Sequence, residues 1–138
     1  MKILFIGDIV GRPGRDVVRA MVPKLCDEFS VDFVIANAEN AAGGLGVTPD
    51  ILDALFKMGV HGITLGNHTW RRRSFVSAID RYPAVVRPAN YPDGTPGHGA
   101  TNSTKTTRKR AQKPAMTLGR DMPPRPARLR GPLDPDRP

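Results

Sequence analysis

The chain has 138 residues and a formal net charge of +8, a length that fits one domain. The charge is unevenly placed: residues 1–100 hold 11 Lys/Arg against 10 Asp/Glu, whereas residues 101–138 hold 10 against 3. A single cysteine, Cys26, excludes an internal disulfide; no run approaches the roughly 20 apolar residues of a membrane helix, and the opening ILFIG is too short for a signal-peptide core, so a cytoplasmic protein is expected.

KILFI (2–6) is a continuous apolar run that ends at Gly7-Asp8, and it predicts a buried strand. Over 14–29, Val18, Met21, Val22, Leu25 and Phe29 recur at helical spacing. Pro23 removes one backbone donor inside that run and predicts a kink or an early stop. VDFVIAN (31–37) reads as a second buried strand. PDILDALFKMG (49–59) predicts a second helix, with Thr48 at the N-cap, Pro49 in the first position and Gly59 at the end. GITL (62–65) is a third strand, residues 72–80 a short helix, and AVVRPAN (84–90) a fourth strand that leaves at Pro88. The alternation predicts an α/β architecture with a parallel sheet covered on both faces. Beyond residue 93 the hydrophobic period stops. Residues 101–138 contain no Val, Ile, Phe, Tyr or Trp but seven of the 14 prolines. Such a segment buries too little apolar surface to offset its ordering entropy, and disorder is expected.

Three strands end in polar clusters: GDIVGRPG, NAENAAGG and GNHTW. In a parallel sheet these ends share one edge, the edge where open α/β folds bind ligands. Asp8, Asn37, Glu39, Asn40, Asn67 and His68 are therefore expected on one rim. Their oxygens are hard donors, suited to Mg²⁺, Mn²⁺ or Fe²⁺ more than to a thiolate-type zinc site. Paired ions activate water and clamp a phosphoryl group, and a nearby imidazole can protonate a leaving oxygen. Taken singly, Asp8 reads more readily as a turn or cap residue, the asparagines as common turn formers, and His68 as structural before catalytic. The glycine-rich stretches GRPG (11–14) and AAGGLG (41–46) read as anion cradles or as tight turns; neither matches the phosphate-loop pattern. Arg71, Arg72 and Arg73 read first as the solvated start of the next helix and second as a phosphate-steering patch. Trp70 reads as a packing residue ahead of a base-stacking platform.

GDIVGRPGR, NAENAAGGLGVTP, GNHTW and RPANYPDGTPG stand in order over residues 1–99. Together they resemble the signature blocks of a bacterial metallophosphoesterase family. That family lies in the calcineurin-like superfamily and includes 2′,3′-cyclic-nucleotide phosphodiesterases. The resemblance implies the N-terminal half of an αββα sandwich: a partial domain over 1–100 with a disordered basic tail over 101–138. It also implies a dinuclear site, with iron foremost and manganese or magnesium as alternatives. Asp8 and Asn40 match ligands of the first ion, Glu39 the bridging carboxylate, Asn67 a ligand of the second ion, and His68 the proton donor. The implied reaction is attack on a cyclic nucleotide or related phosphodiester by metal-bound hydroxide, with His68 assisting departure of the alkoxide.

Departures from the family pattern matter too. Family members are considerably longer, and their second half supplies further histidine ligands. This chain has His61, His68 and His98. His61 precedes the third strand, at the edge opposite the rim, and His98 lies in the TPGHG loop and matches no ligand block. An impaired site is expected, with water completing the roughly six positions around a hard ion. The Arg/Pro-rich tail looks like a shifted reading frame or a truncated gene, which an intact upstream frame would refute. Two alternatives stand beside the enzyme. One is an inactive fragment whose uncovered sheet face favours aggregation. The other is a non-specific nucleic-acid binder, RNA included, acting through counterion release by the tail. Homo-oligomerisation, or completion of the site by a separate chain, stays open.

Overall fold

Apolar runs become strands where β-branched and aromatic side chains pack on a pleated surface. The computed structural model describes residues 1–102. In it, β1 (Ile3–Ile6), β2 (Phe33–Asn37), β3 (Gly62–Thr64) and β4 (Val85–Val86) form one sheet in the order β1-β2-β3-β4. Each neighbouring pair is parallel, with Ile3 opposite Phe33, Ile35 opposite Gly62 and Ile63 opposite Val85. The tail expected to be disordered, and with it the shifted-frame reading, lies outside the described residues from position 103 onward.

The helices are α1 (Gly11–Phe29), α2 (Pro49–Lys57) and α3 (Arg73–Val76), followed by a 3₁₀ turn at Ile79–Arg81. Pro23 does not stop α1, which continues to Phe29. The lost donor costs one bond, while Val18 and Val22 stay buried on the sheet side; tertiary packing outweighs the local penalty. Thr48 and Pro49 open α2 as expected, but the Thr48 hydroxyl makes no capping bond. Leu52 and Leu55 are the buried face of α2.

The expectation of a sheet covered on both faces is corrected. The strand order rises monotonically, and parallel crossovers are right-handed, so every connection falls on the same side. On that side Val18, Val22, Leu52 and Leu55 join Val34, Ala36, Ile63, Val85, Phe75 and Ile79 in one core. The opposite face is open: Ile3 is 52% and Phe5 60% exposed. An apolar depression there is lined by Ile3, Phe33, Ile35, Gly62 and Val86.

His61 sits at the start of β3. Its Nδ1 accepts a hydrogen bond from Val34 N–H at 3.0 Å, and its ring stacks on Phe33 with centroids 5.1 Å apart. His98 is not in a free loop. It bridges to Val86 beside β4, and its carbonyl accepts from Arg87 N–H at 2.9 Å. No described helix is long and apolar enough to cross a membrane.

Candidate active site

Backbone ladders extend past the strand ends and fix the three loops to one another. Ile9 N–H donates to Asn37 O at 3.0 Å, Ala38 N–H to Thr64 O at 3.1 Å, and Gly11 N–H to Asn40 O at 3.0 Å. Asp8, Glu39-Asn40 and Asn67-His68 follow β1, β2 and β3 in turn, so the parallel sheet gathers them on its C-terminal rim.

Side chains complete the link. The Asn40 amide nitrogen donates to both carboxylate oxygens of Asp8, each at 2.9 Å. Its oxygen lies 2.5 Å from His68 Nδ1. With the amide nitrogen turned to the carboxylate, that oxygen must accept, so His68 Nδ1 carries the proton. Glu39 is held from two directions. Its own N–H donates to Asn37 Oδ1 at 3.1 Å, an Asx turn, and its carboxylate accepts from His68 N–H at 3.3 Å. The same carboxylate lies against Gly66, where even a methyl group would overlap both oxygens. Buried Thr69 closes the turn by donating from Oγ1 to Gly66 O at 2.6 Å. Asp8, Glu39, Asn40 and His68 thus form one hydrogen-bonded group. Asn67 stands exposed at the same turn, outside that group.

The donor chemistry suits a hard divalent cation: two carboxylates, the Asn67 amide oxygen, and the lone pair of the Asn40 oxygen that its bond to His68 leaves over. Among the described residues no group of three His, Cys, Asp or Glu gathers. The described rim therefore offers fewer charged donors than a closed cation site, and an ion held by these residues alone would need water or other donors to complete its shell.

Sequence reasoning assigned no role to Arg15 and read Arg72 as a solvated helix start or a steering charge; the structure gives both a contact with the loop after β2. Arg15, on α1, donates from Nη1 to Ala41 O. Arg72 donates from Nε to Leu45 O at 2.9 Å and from Nη2 to Ala42 O at 2.5 Å. The three consecutive arginines are therefore not equivalent: Arg73 opens α3 as expected, whereas Arg72 turns back onto the glycine-rich loop. That loop is a tight turn, with φ of 69°, 89° and 75° at Gly43, Gly44 and Gly46. The one hint in the sequence was AAGGLG itself, whose carbonyls have no ladder to accept and need donors from elsewhere. Trp70 packs against the core, as expected, and meets Tyr91 edge-on at 5.6 Å.

Known proteins resemble this chain in sequence and in fold. The family model described as YmdB-like protein matches residues 4–119. A 2′,3′-cyclic-nucleotide 2′-phosphodiesterase of Bacillus subtilis (strain 168) is 52% identical over 101 residues, covering 73% of this chain and 38% of the relative. Among solved structures, a hypothetical protein from Thermus thermophilus is similar with a TM-score of 0.66 and 42% identity, covering 72% of this chain and 38% of that one. A novel phosphatase from Mycoplasma pneumoniae is similar with a TM-score of 0.68 and 32% identity, covering 72% and 37%. The chain therefore spans 38% of the length of the curated Bacillus relative.

Proposed function

The chain belongs to the YmdB-like protein family, a metallophosphoesterase family, and on that premise we propose that it carries part of a site hydrolysing phosphodiesters, 2′,3′-cyclic nucleotides among them. The observation that carries this reading is the Asp8–Asn40–His68 hydrogen-bonded chain beside Glu39. The name of the Bacillus relative supports the substrate class.

Asp8, Glu39, Asn40 and Asn67 would hold the divalent ions, iron foremost, with manganese or magnesium as substitutes. Ions bound there supply Lewis acidity, which activates water and offsets phosphate charge. His68 keeps its Nδ1–H on the Asn40 oxygen, which leaves Nε2 as the atom that passes a proton to the departing alkoxide. Glu39, packed against Gly66, accepts from the His68 backbone N–H, which holds its carboxylate at the turn that carries His68. Further ligands would come from sequence that the longer relatives have and this match does not span.

The test is hydrolysis of 2′,3′-cyclic AMP, whose departing ribose alkoxide needs a proton, in excess Mn²⁺, comparing the chain with His68→Ala. Loss of a general acid lowers kcat by about 10²–10⁴-fold, and Mn²⁺ binding should survive because His68 is not among the ligands. Equal rates in the two proteins would remove His68 from the chemistry.

A further inference from the structure

The loop over 41–46 follows Glu39 and Asn40 directly, and its own backbone bonds are few. Ala42 N–H donates to Gly46 O at 2.8 Å, and Gly44 N–H to Asn40 O at 2.9 Å. Ala41 and Ala42 are buried, so their carbonyls need partners from elsewhere. Within the loop, Ala42 O takes one long backbone bond, from Leu45 N–H at 3.5 Å; the other donors to the two carbonyls are guanidinium groups from other segments. Arg15 reaches Ala41 O from α1, behind Asp8 in sequence. Arg72 reaches Ala42 O and Leu45 O together from the segment behind His68. The loop also lies flat on the Arg72 stem: a Cβ added at Gly46 would come within 2.9 Å of Arg72 Cγ and 3.4 Å of His68 O. Glycine is required there twice over, by space and by a φ of 75°.

We propose that Arg72, with Arg15, is a positioning residue of the rim: the two guanidiniums tie the segments after β1 and β3 to the loop after β2, and so hold Glu39 and Asn40 in register with Asp8 and His68. This role rests on the reading of the rim as the hydrolytic site. An arginine is needed because its planar fork presents Nε–H and Nη2–H to two carbonyls at once, whereas a lysine offers a single point charge on a flexible stem. Arg72 touches no reacting atom in this role. It acts through Asn40 and Glu39, and its donors are directed at loop carbonyls.

The test is backbone amide exchange in the full chain, measured without metal or substrate, for the wild type, Arg72→Ala and Arg72→Lys. Exchange at Ala42 and Gly44 is expected to rise by about tenfold or more in Arg72→Ala, with Val34 and Ala36 in β2 unchanged, as for local opening. Arg72→Lys should rescue this in part. The His68 ring nitrogen spectrum should shift with it, because Asn40 sets the Nδ1–H tautomer. Unchanged exchange at Ala42 and Gly44 would overturn the proposal, and so would an equal rise at Val34 and Ala36, which would mark general loosening. A Mn²⁺ titration separates the two readings. Arg72→Ala should weaken binding by about tenfold. A wild-type chain that binds no Mn²⁺, with exchange behaving as stated, would overturn the metal reading and support the clamp.

Discussion

Asp8→Ala is expected to weaken Mn²⁺ binding by on the order of 100-fold or more, beyond the usual effect of losing a residue that only supports a ligand. Asp8 is exposed at the end of β1, and its carboxylate takes both hydrogen bonds that Asn40 donates. Its removal deletes one of two rim carboxylates and frees Asn40 to rotate away from His68. Because Asp8 is exposed, fold stability should move by no more than about 0.5 kcal/mol. Trp70 is the chain's single tryptophan and follows His68 by two residues, so its fluorescence can report the Mn²⁺ titration. Urea unfolding supplies the stability control. Equal Mn²⁺ affinity in the two proteins would mean that Asp8 is a turn residue and no ligand.

Phe75→Ala carries the largest effect expected on stability, a loss of about 3–5 kcal/mol. Phe75 is fully buried in α3 and joins the core formed by Leu52, Leu55 and Val85. Small domains have only about 5–15 kcal/mol in total, so the variant should stand near the threshold of folding. Its urea midpoint should fall with little change in slope. Arg72 is the residue that caps α3, so loosening this helix also loosens the hold on the 41–46 loop. A change below about 1 kcal/mol would mean that the core relaxes to fill the gap, against the close packing described.

Much of this was legible in the sequence because the signals are local. KILFI and VDFVIAN are apolar runs that read as strands, although in β1 none of the four residues is fully buried, and the polar clusters after them mark the rim without any knowledge of contacts. Asp8, Glu39, Asn40 and His68 could thus be assigned to one edge before their hydrogen bonds were seen. What depends on strand order could not be read. Ile3 and Phe5 look like core residues in the sequence, yet a monotonic order leaves their face open. Pro23 predicted an interruption because the local penalty is visible and the compensating burial of Val18 and Val22 is not. The role of Arg72 was hidden for a related reason. A run of three arginines looks solvated, and nothing in its spacing shows that the middle one faces two carbonyls 30 and 27 residues earlier in the chain. Gly66 likewise gave no sign that it seats the Glu39 carboxylate.

The proposed function rests on the loops after β1, β2 and β3 building one divalent-cation site. Paramagnetic broadening by substoichiometric Mn²⁺ in the ¹⁵N-labelled chain tests it most directly. Signals of Asp8, Glu39, Asn40, Asn67 and His68 are expected to broaden first and together, while those of His61 and Phe33 at the opposite edge of the sheet stay sharp. Broadening scattered over surface carboxylates such as Asp16 and Asp53, with the rim unaffected, would contradict it.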